Sequence, residues 1–109
     1  MKLTVAGLKI KITQAIEDHL NKKIEKSLKS LPESADVHVA LTVEKYRHFA
    51  EVTVKDKGYT VHGESETDDL YTAMDEAVER TEKQLKKHKD RSKSLKIKQN
   101  VEEKDRQVD

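Results

Sequence analysis

Apolar positions along the chain switch between two spacings, and each switch marks an element. Leu3 and Val5 alternate with polar neighbours and Gly7 closes the run, which predicts a short first strand. From Thr13 the spacing lengthens to three and four. Ile16, Leu20, Ile24, Ser27, Leu28 and Leu31 then share one face of a predicted helix, with Thr13 as its N-cap and Pro32 as its stop. Val37, Val39, Leu41 and Val43 restore strict alternation against Asp36, His38, Ala40 and Thr42, and Ala50, Val52 and Val54 repeat it. Asp56-Lys57-Gly58 predicts a tight connection, with Gly58 able to take the left-handed conformation. Tyr59, Val61 and Gly63 follow as a fourth strand with a small last residue. A second helix is predicted to start at a cap on Thr67 or Asp68, and its inner face carries Leu70, Ala73, Met74, Ala77, Val78, Thr81 and Leu85. Beyond about Lys89 the period fades, so a frayed helix end and a mobile tail are expected.

This order, strand, helix, three strands, helix, is a βαβββα pattern of the α+β class. The segment between the first two strands is long enough for a right-handed parallel crossover, while the later strands are joined as hairpins. Each strand has one apolar face, so both helices are expected on the same side of a four-stranded mixed sheet. One folded domain is expected over residues 1–93, followed by a basic-to-acidic flexible tail over 94–109.

Composition narrows the function. Of 109 residues 34% are hydrophobic, with one Phe, three Tyr and no Trp, so the core is thin and aliphatic. Without cysteine, disulfides, thiolate catalysis and Cys-type zinc sites are excluded. The opening Met1-Lys2-Leu3-Thr4-Val5-Ala6-Gly7-Leu8-Lys9 is too short an apolar run for a signal peptide, and no segment approaches membrane-spanning length. A cytoplasmic protein is the expectation.

Net charge is only +1, so the informative feature is its distribution. Residues 68–79 hold five acids and no base, whereas residues 80–98 hold nine bases and two acids, a net of +7. Arg80, Lys83 and Lys87 fall on one solvent-facing stripe of the second helix. On the first, Lys22, Lys26 and Lys29 lie within about 60° of one another, with Lys23 to one side. Side by side, the two stripes merge into one electropositive surface of the kind that binds phosphate backbones by counterion release. Part of this pattern only complements helix dipoles or solvates a face. The bases continue past the last turn, through Lys98, which is more than a dipole asks for.

Other chemistry finds little support. Tyr71 either stacks on a base or, the commoner fate of such a residue, packs over the sheet edge. Tyr46, in a loop beside Lys45, Arg47 and His48, is expected to be exposed and is a weaker candidate for RNA contact. His19, His38, His48, His62 and His88 show no zincin-like i, i+4 pair, so no metal site is expected, although His38 and His62 could face solvent together from different strands. With only three glycines there is neither a phosphate-cradling loop nor a dinucleotide fingerprint, and no cofactor is expected. The helix-borne acids lack a partner nucleophile and a pocket, so catalysis is not expected.

Asp69-Leu70-Tyr71-Thr72-Ala73-Met74-Asp75, followed by Arg80, Gln84-Leu85 and Lys87-His88-Lys89, resembles the second-helix signature of the ribosome hibernation promoting factor / ribosome-associated inhibitor A family. The likeness extends to Ile12-Thr13 with Ala15, to Lys23 and Lys26, and to the strand from Val37 to Glu44-Lys45, covering roughly residues 1–93. It implies a βαβββα domain that binds the small ribosomal subunit near the decoding centre and inhibits translation by excluding messenger RNA and A- and P-site transfer RNA. Position by position, it implies that Lys23, Lys26, Arg80, Lys83, Lys87 and Lys89 face ribosomal RNA. Lys29 and Lys86 match more variable positions, and Tyr71 matches the signature tyrosine, with a structural role or an RNA contact. It also implies a free protein that is monomeric and linked only indirectly to ribosome modulation factor. Long family members append a dimerising C-terminal domain, and the shortest end about 15 residues earlier than this chain, judged from where periodicity stops. The mixed charge of Val101-Glu102-Glu103-Lys104-Asp105-Arg106 assigns the chain neither to the type that promotes ribosome pairing nor to the type that blocks it. Two other readings stand beside this one: a general double-stranded RNA-binding domain, and a protein–protein adaptor whose charges only solubilise it.

Overall fold

A computed structural model describes the backbone of residues 1–98 and side chains as far as His88. Six elements follow the expected order: β1 (Lys2–Leu8), α1 (Gln14–Ser27), β2 (Asp36–Glu44), β3 (Arg47–Asp56), β4 (Tyr59–Thr67) and α2 (Leu70–Lys98). The strands form one four-stranded sheet in the order β1-β2-β3-β4. β1 runs parallel to β2 with Leu3 opposite Val37 and Val5 opposite Val39, and the two later pairings are antiparallel.

Alternation sends Val37, Val39 and Leu41 of β2, Ala50, Val52 and Val54 of β3, and Val61 of β4 to one face, where all are buried. Both helices close that face: Ile16, Leu20, Ile24 and Leu28 from the first join Ala73, Met74, Ala77, Val78 and Leu85 from the second in one cluster. Each fully buried aliphatic side chain here stabilises the fold by about 1.5–3 kcal/mol. The opposite face of the sheet is left to solvent.

Local chemistry sets the element ends. Thr13 caps α1 as expected, its Oγ1 accepting from the Ile16 N–H at 3.2 Å. The helix stops at Ser27, however, a full turn before Pro32, with Leu28 as C-cap donating to the Ile24 carbonyl at 2.7 Å. Leu28 stays buried and Leu31 packs against the core from the following turn, so burial rather than proline fixes the exit. β1 continues through Gly7 to Leu8. β4 does not end at Gly63 but runs four residues further to Thr67. Its inward positions there are Gly63 and Ser65, both buried yet too small or polar to register as an apolar period.

α2 is capped by Asp69 rather than Thr67 or Asp68. Its Oδ2 accepts from both the backbone N–H and the hydroxyl of Thr72, each at 2.8 Å, while Thr67 Oγ1 accepts from the Asp69 N–H. The helical backbone reaches Lys98, through the stretch where the apolar period fades, because Lys and Arg are good helix formers without an apolar stripe. Most of the stretch read as a tail, residues 99–109, lies outside the described residues. Gly58 adopts φ 76°, as the β3–β4 turn requires, and Lys45 takes φ 56° in the β2–β3 turn beside a Tyr46 that is 87% exposed.

Candidate nucleic-acid interface

The helices meet along two charged contacts spaced one turn apart on each. His19 Nε2 lies 2.7 Å from Asp75 Oδ1, and Lys23 Nζ donates to Glu79 Oε2 at 2.7 Å. Residues 19 and 23 share one helix face, as do 75 and 79, so the i, i+4 rows face each other. Tyr71 closes the same seam, its ring edge-on to His19 with centroids 4.8 Å apart. The signature tyrosine therefore packs on α1, not over the sheet edge.

Glu79 is the hinge of the local electrostatics. The hydrogen bond from Lys23, and then the Lys23 charge, hold its carboxyl below the ordinary value, with Lys83 adding to the effect. Lys23 is raised in turn, first by the Glu79 hydrogen bond and, against the opposing cost of burial, by Glu79, Asp75 and Glu82. Cations of the two helices thus approach one another across a single carboxylate, in the row Lys23, Glu79, Lys83.

From Lys83 the positive charge continues round α2 toward the edge of the sheet. Arg80 reaches over β4, donating to the Glu64 carbonyl at 2.7 Å and lying 3.8 Å from Glu76 Oε1. With Lys83, Gln84 and Lys87 it forms one wall of a groove of about 320 Å³ whose other wall is His62, Gly63 and Glu64. The groove exists because β4 and α2 touch closely. A Cβ on Gly63 would sit 2.4 Å from Thr81 Oγ1 and 2.7 Å from the Ala77 carbonyl oxygen. A neighbouring hollow continues past Gln84 and Lys87 to His88, which stacks on Tyr59 with centroids 4.4 Å apart.

Against the expected set, Arg80, Lys83 and Lys87 line this groove together, and Lys23 joins them through Glu79. Lys26 is exposed on α1. Lys29 does not share that helix face: it lies in the turn after α1, because the helix ends earlier than its apolar period predicts. Lys86 is exposed about 120° round α2 from Arg80, on the stripe of Glu79. The side chain of Lys89 lies outside the described residues. Sequence reasoning missed Gln84, His62 and His88 as groove residues, and Glu79 as the acid between the cations. Hydropathy reports burial, and nothing in it says which polar side chains meet across 56 residues of chain.

Residues 3–93 match the family model described as Sigma 54 modulation protein / S30EA ribosomal protein. A ribosome hibernation promoting factor of Escherichia coli (strain K12) is 32% identical over 93 residues, covering 85% of this chain and 98% of its own. One from Pseudomonas putida is 30% identical over 95 residues, covering 87% and 93%. Among solved structures, the N-terminal domain of Thermus thermophilus Protein Y superposes with a TM-score of 0.73 at 32% identity, over 81% of this chain and 99% of that one. A ribosomal subunit interface protein from Coxiella burnetii gives 0.72 at 25% identity, over 83% and 99%.

Proposed function

Since the chain belongs to the Sigma 54 modulation protein / S30EA ribosomal protein family, a family of ribosome hibernation factors, we propose that it silences ribosomes by binding the small subunit near the decoding centre. There it occupies the space of messenger RNA and of A- and P-site transfer RNA, so translation stops by exclusion and no bond is made or broken. The observation that carries this reading is the run of cations from Lys23 on α1, across Glu79, to Lys83, Arg80 and Lys87 at the β4 edge, with Lys26 exposed one turn further along α1. Phosphates of folded RNA take such a row without base-specific contacts, and counterion release supplies the affinity. Residues 1–93 are the ribosome-binding unit in this proposal, with Lys29, Lys86 and Lys89 extending the cationic margin and 94–109, which α2 enters as far as Lys98, playing a separate part. Tyr71 serves the seam between the helices, and ribosome modulation factor is met only through the ribosome.

The test is co-sedimentation with small subunits. The triple variant Lys26→Glu/Lys83→Glu/Lys87→Glu leaves the interhelical pairs untouched and is expected to weaken binding about a hundredfold at roughly 0.1 M salt. Unchanged binding would sink the proposal. Comparable affinity for a plain RNA duplex would move the reading to a general double-stranded RNA binder. Sedimentation of whole ribosomes with and without residues 94–109 reads which subunit is held and whether the tail promotes or blocks pairing.

A further inference from the structure

The solvent face of the sheet carries a constellation of its own, two members of which, His62 and Glu64, also border the cationic groove. Register places Glu51 of β3 directly opposite Glu64 of β4, a position in which like charges repel. His62, two residues before Glu64 and therefore on the same face, brings Nε2 to 3.3 Å from Glu51 Oε2 and 3.8 Å from Glu64 Oε2. One donor atom from each of the three side chains lies within 4.8 Å of the others. The ring is held from outside the trio: Thr53, opposite His62 on β3, has Oγ1 3.3 Å from His62 Nδ1. That contact holds the ring with Nε2 between the two carboxylates, where loss of its proton to solvent on metal binding would turn a lone pair toward the ion. Arg80 borders the same hollow as Glu51 and Glu64 but directs its guanidinium to the Glu64 carbonyl and to Glu76 rather than to either carboxylate. Among the described residues neither carboxylate is ion-paired to a Lys or Arg.

We propose that Glu51, His62 and Glu64 form a binding site for one divalent cation of the Zn²⁺ class, with His62 Nε2 and one oxygen of each carboxylate as ligands and water completing the shell. The mixed nitrogen and oxygen donor set selects Zn²⁺, Co²⁺ or Ni²⁺ over Mg²⁺ and Ca²⁺, which take oxygen ligands. Metal–ligand bonds of about 2.0–2.2 Å set tetrahedral donors roughly 3.4 Å apart. The His62–Glu51 distance already meets that spacing, and Glu64, with its side chain 73% exposed, closes by rotamer change. The cation replaces a repulsive cross-strand pair with a clamp between β3 and β4.

Isothermal titration of the full chain with ZnCl₂ at pH 7.5 tests this without a ribosome. One ion per chain is expected, with a rise in the thermal midpoint. His62→Ala and the double variant Glu51→Gln/Glu64→Gln should abolish the binding, and Thr53→Val, which frees the ring, should weaken it about tenfold. His38→Ala, on the same face, should leave it unchanged. All these side chains are solvent-facing, so circular dichroism is expected to show intact folds. No heat with Zn²⁺, undiminished binding by His62→Ala, or equal binding of Mg²⁺ would each overturn the site.

Discussion

Glu79 shows how one side chain tunes a surface. It neutralises Lys23 and draws on Lys83, so a phosphate arriving at this row competes with a carboxylate already there. Glu79→Gln is expected to tighten small-subunit binding about fivefold, the scale of one exposed pair released, as read in a binding titration. The same pair shapes the response to pH. Glu79 lies below its ordinary 4.5, so its contribution to stability is complete above that value and is lost as pH falls through the lowered one. Lys23 lies above 10.5, so its share is complete below 10.5 and is lost as pH rises past the raised value. Glu79→Gln should therefore flatten both ends of a stability–pH profile measured by thermal melts. Asp69 allows a separate check. The Thr72 N–H and hydroxyl hold it below its ordinary 3.8, so it stabilises above that value and fades as pH falls further. Asp69→Asn keeps a cap acceptor and should melt near the parent at neutral pH with a flatter acid-side decline, whereas Asp69→Ala should melt lower at neutral pH.

At the scale of elements, the contact between β4 and α2 decides where the groove lies. Gly63 makes that contact possible, because any Cβ meets the helix backbone, with the Thr81 nitrogen at 2.6 Å. Gly63→Ala is expected to cost about 1–3 kcal/mol, seen in urea unfolding, and to weaken ribosome binding by displacing Arg80 from the Glu64 carbonyl. The α1–α2 seam has different physics. Buried Leu20 and Ile24 anchor α1 on the sheet, and His19 and Lys23 set its alignment to α2. Much of both helices was legible in the chain: Leu20, Ile24, Met74 and Val78 sit where a 3.6-residue period puts them. The latter half of β4 was not, because Gly63 and Ser65 are inward-facing without being apolar. Nor was the Glu51, His62, Glu64 cluster, since its donors meet across strands and not along a helix where i, i+4 spacing would reveal them.

On the scale of the whole molecule, the sheet separates two kinds of surface. Helices and the β4 edge carry the cationic row, while the far face carries Glu51 opposite Glu64, the latter at the rim of the groove. In the proposed reading an RNA partner meets the helical side, and its affinity should fall linearly on a log–log plot against salt, with a slope of about −0.7 to −0.9 for each phosphate contacted. The Lys26→Glu/Lys83→Glu/Lys87→Glu variant should flatten that slope by about two to three, measured by filter binding at several salt concentrations. A protein adaptor would show little slope in either form.

Periodicity and turn chemistry by themselves determined the order of elements, the parallel start and hairpin finish of the sheet, the buried aliphatic positions and the basic character of α2. All of these follow from interactions within a few residues, or from the single demand that apolar side chains leave water. Tertiary structure alone decided that Lys23 answers to Glu79, that Arg80 turns to the carbonyl of Glu64, that Lys29 leaves the stripe, and that Glu51 faces Glu64 beside His62. Those pairings depend on the angle at which a helix crosses the sheet and on strand register. Both are set by how the whole core packs, which no local stretch of chain records.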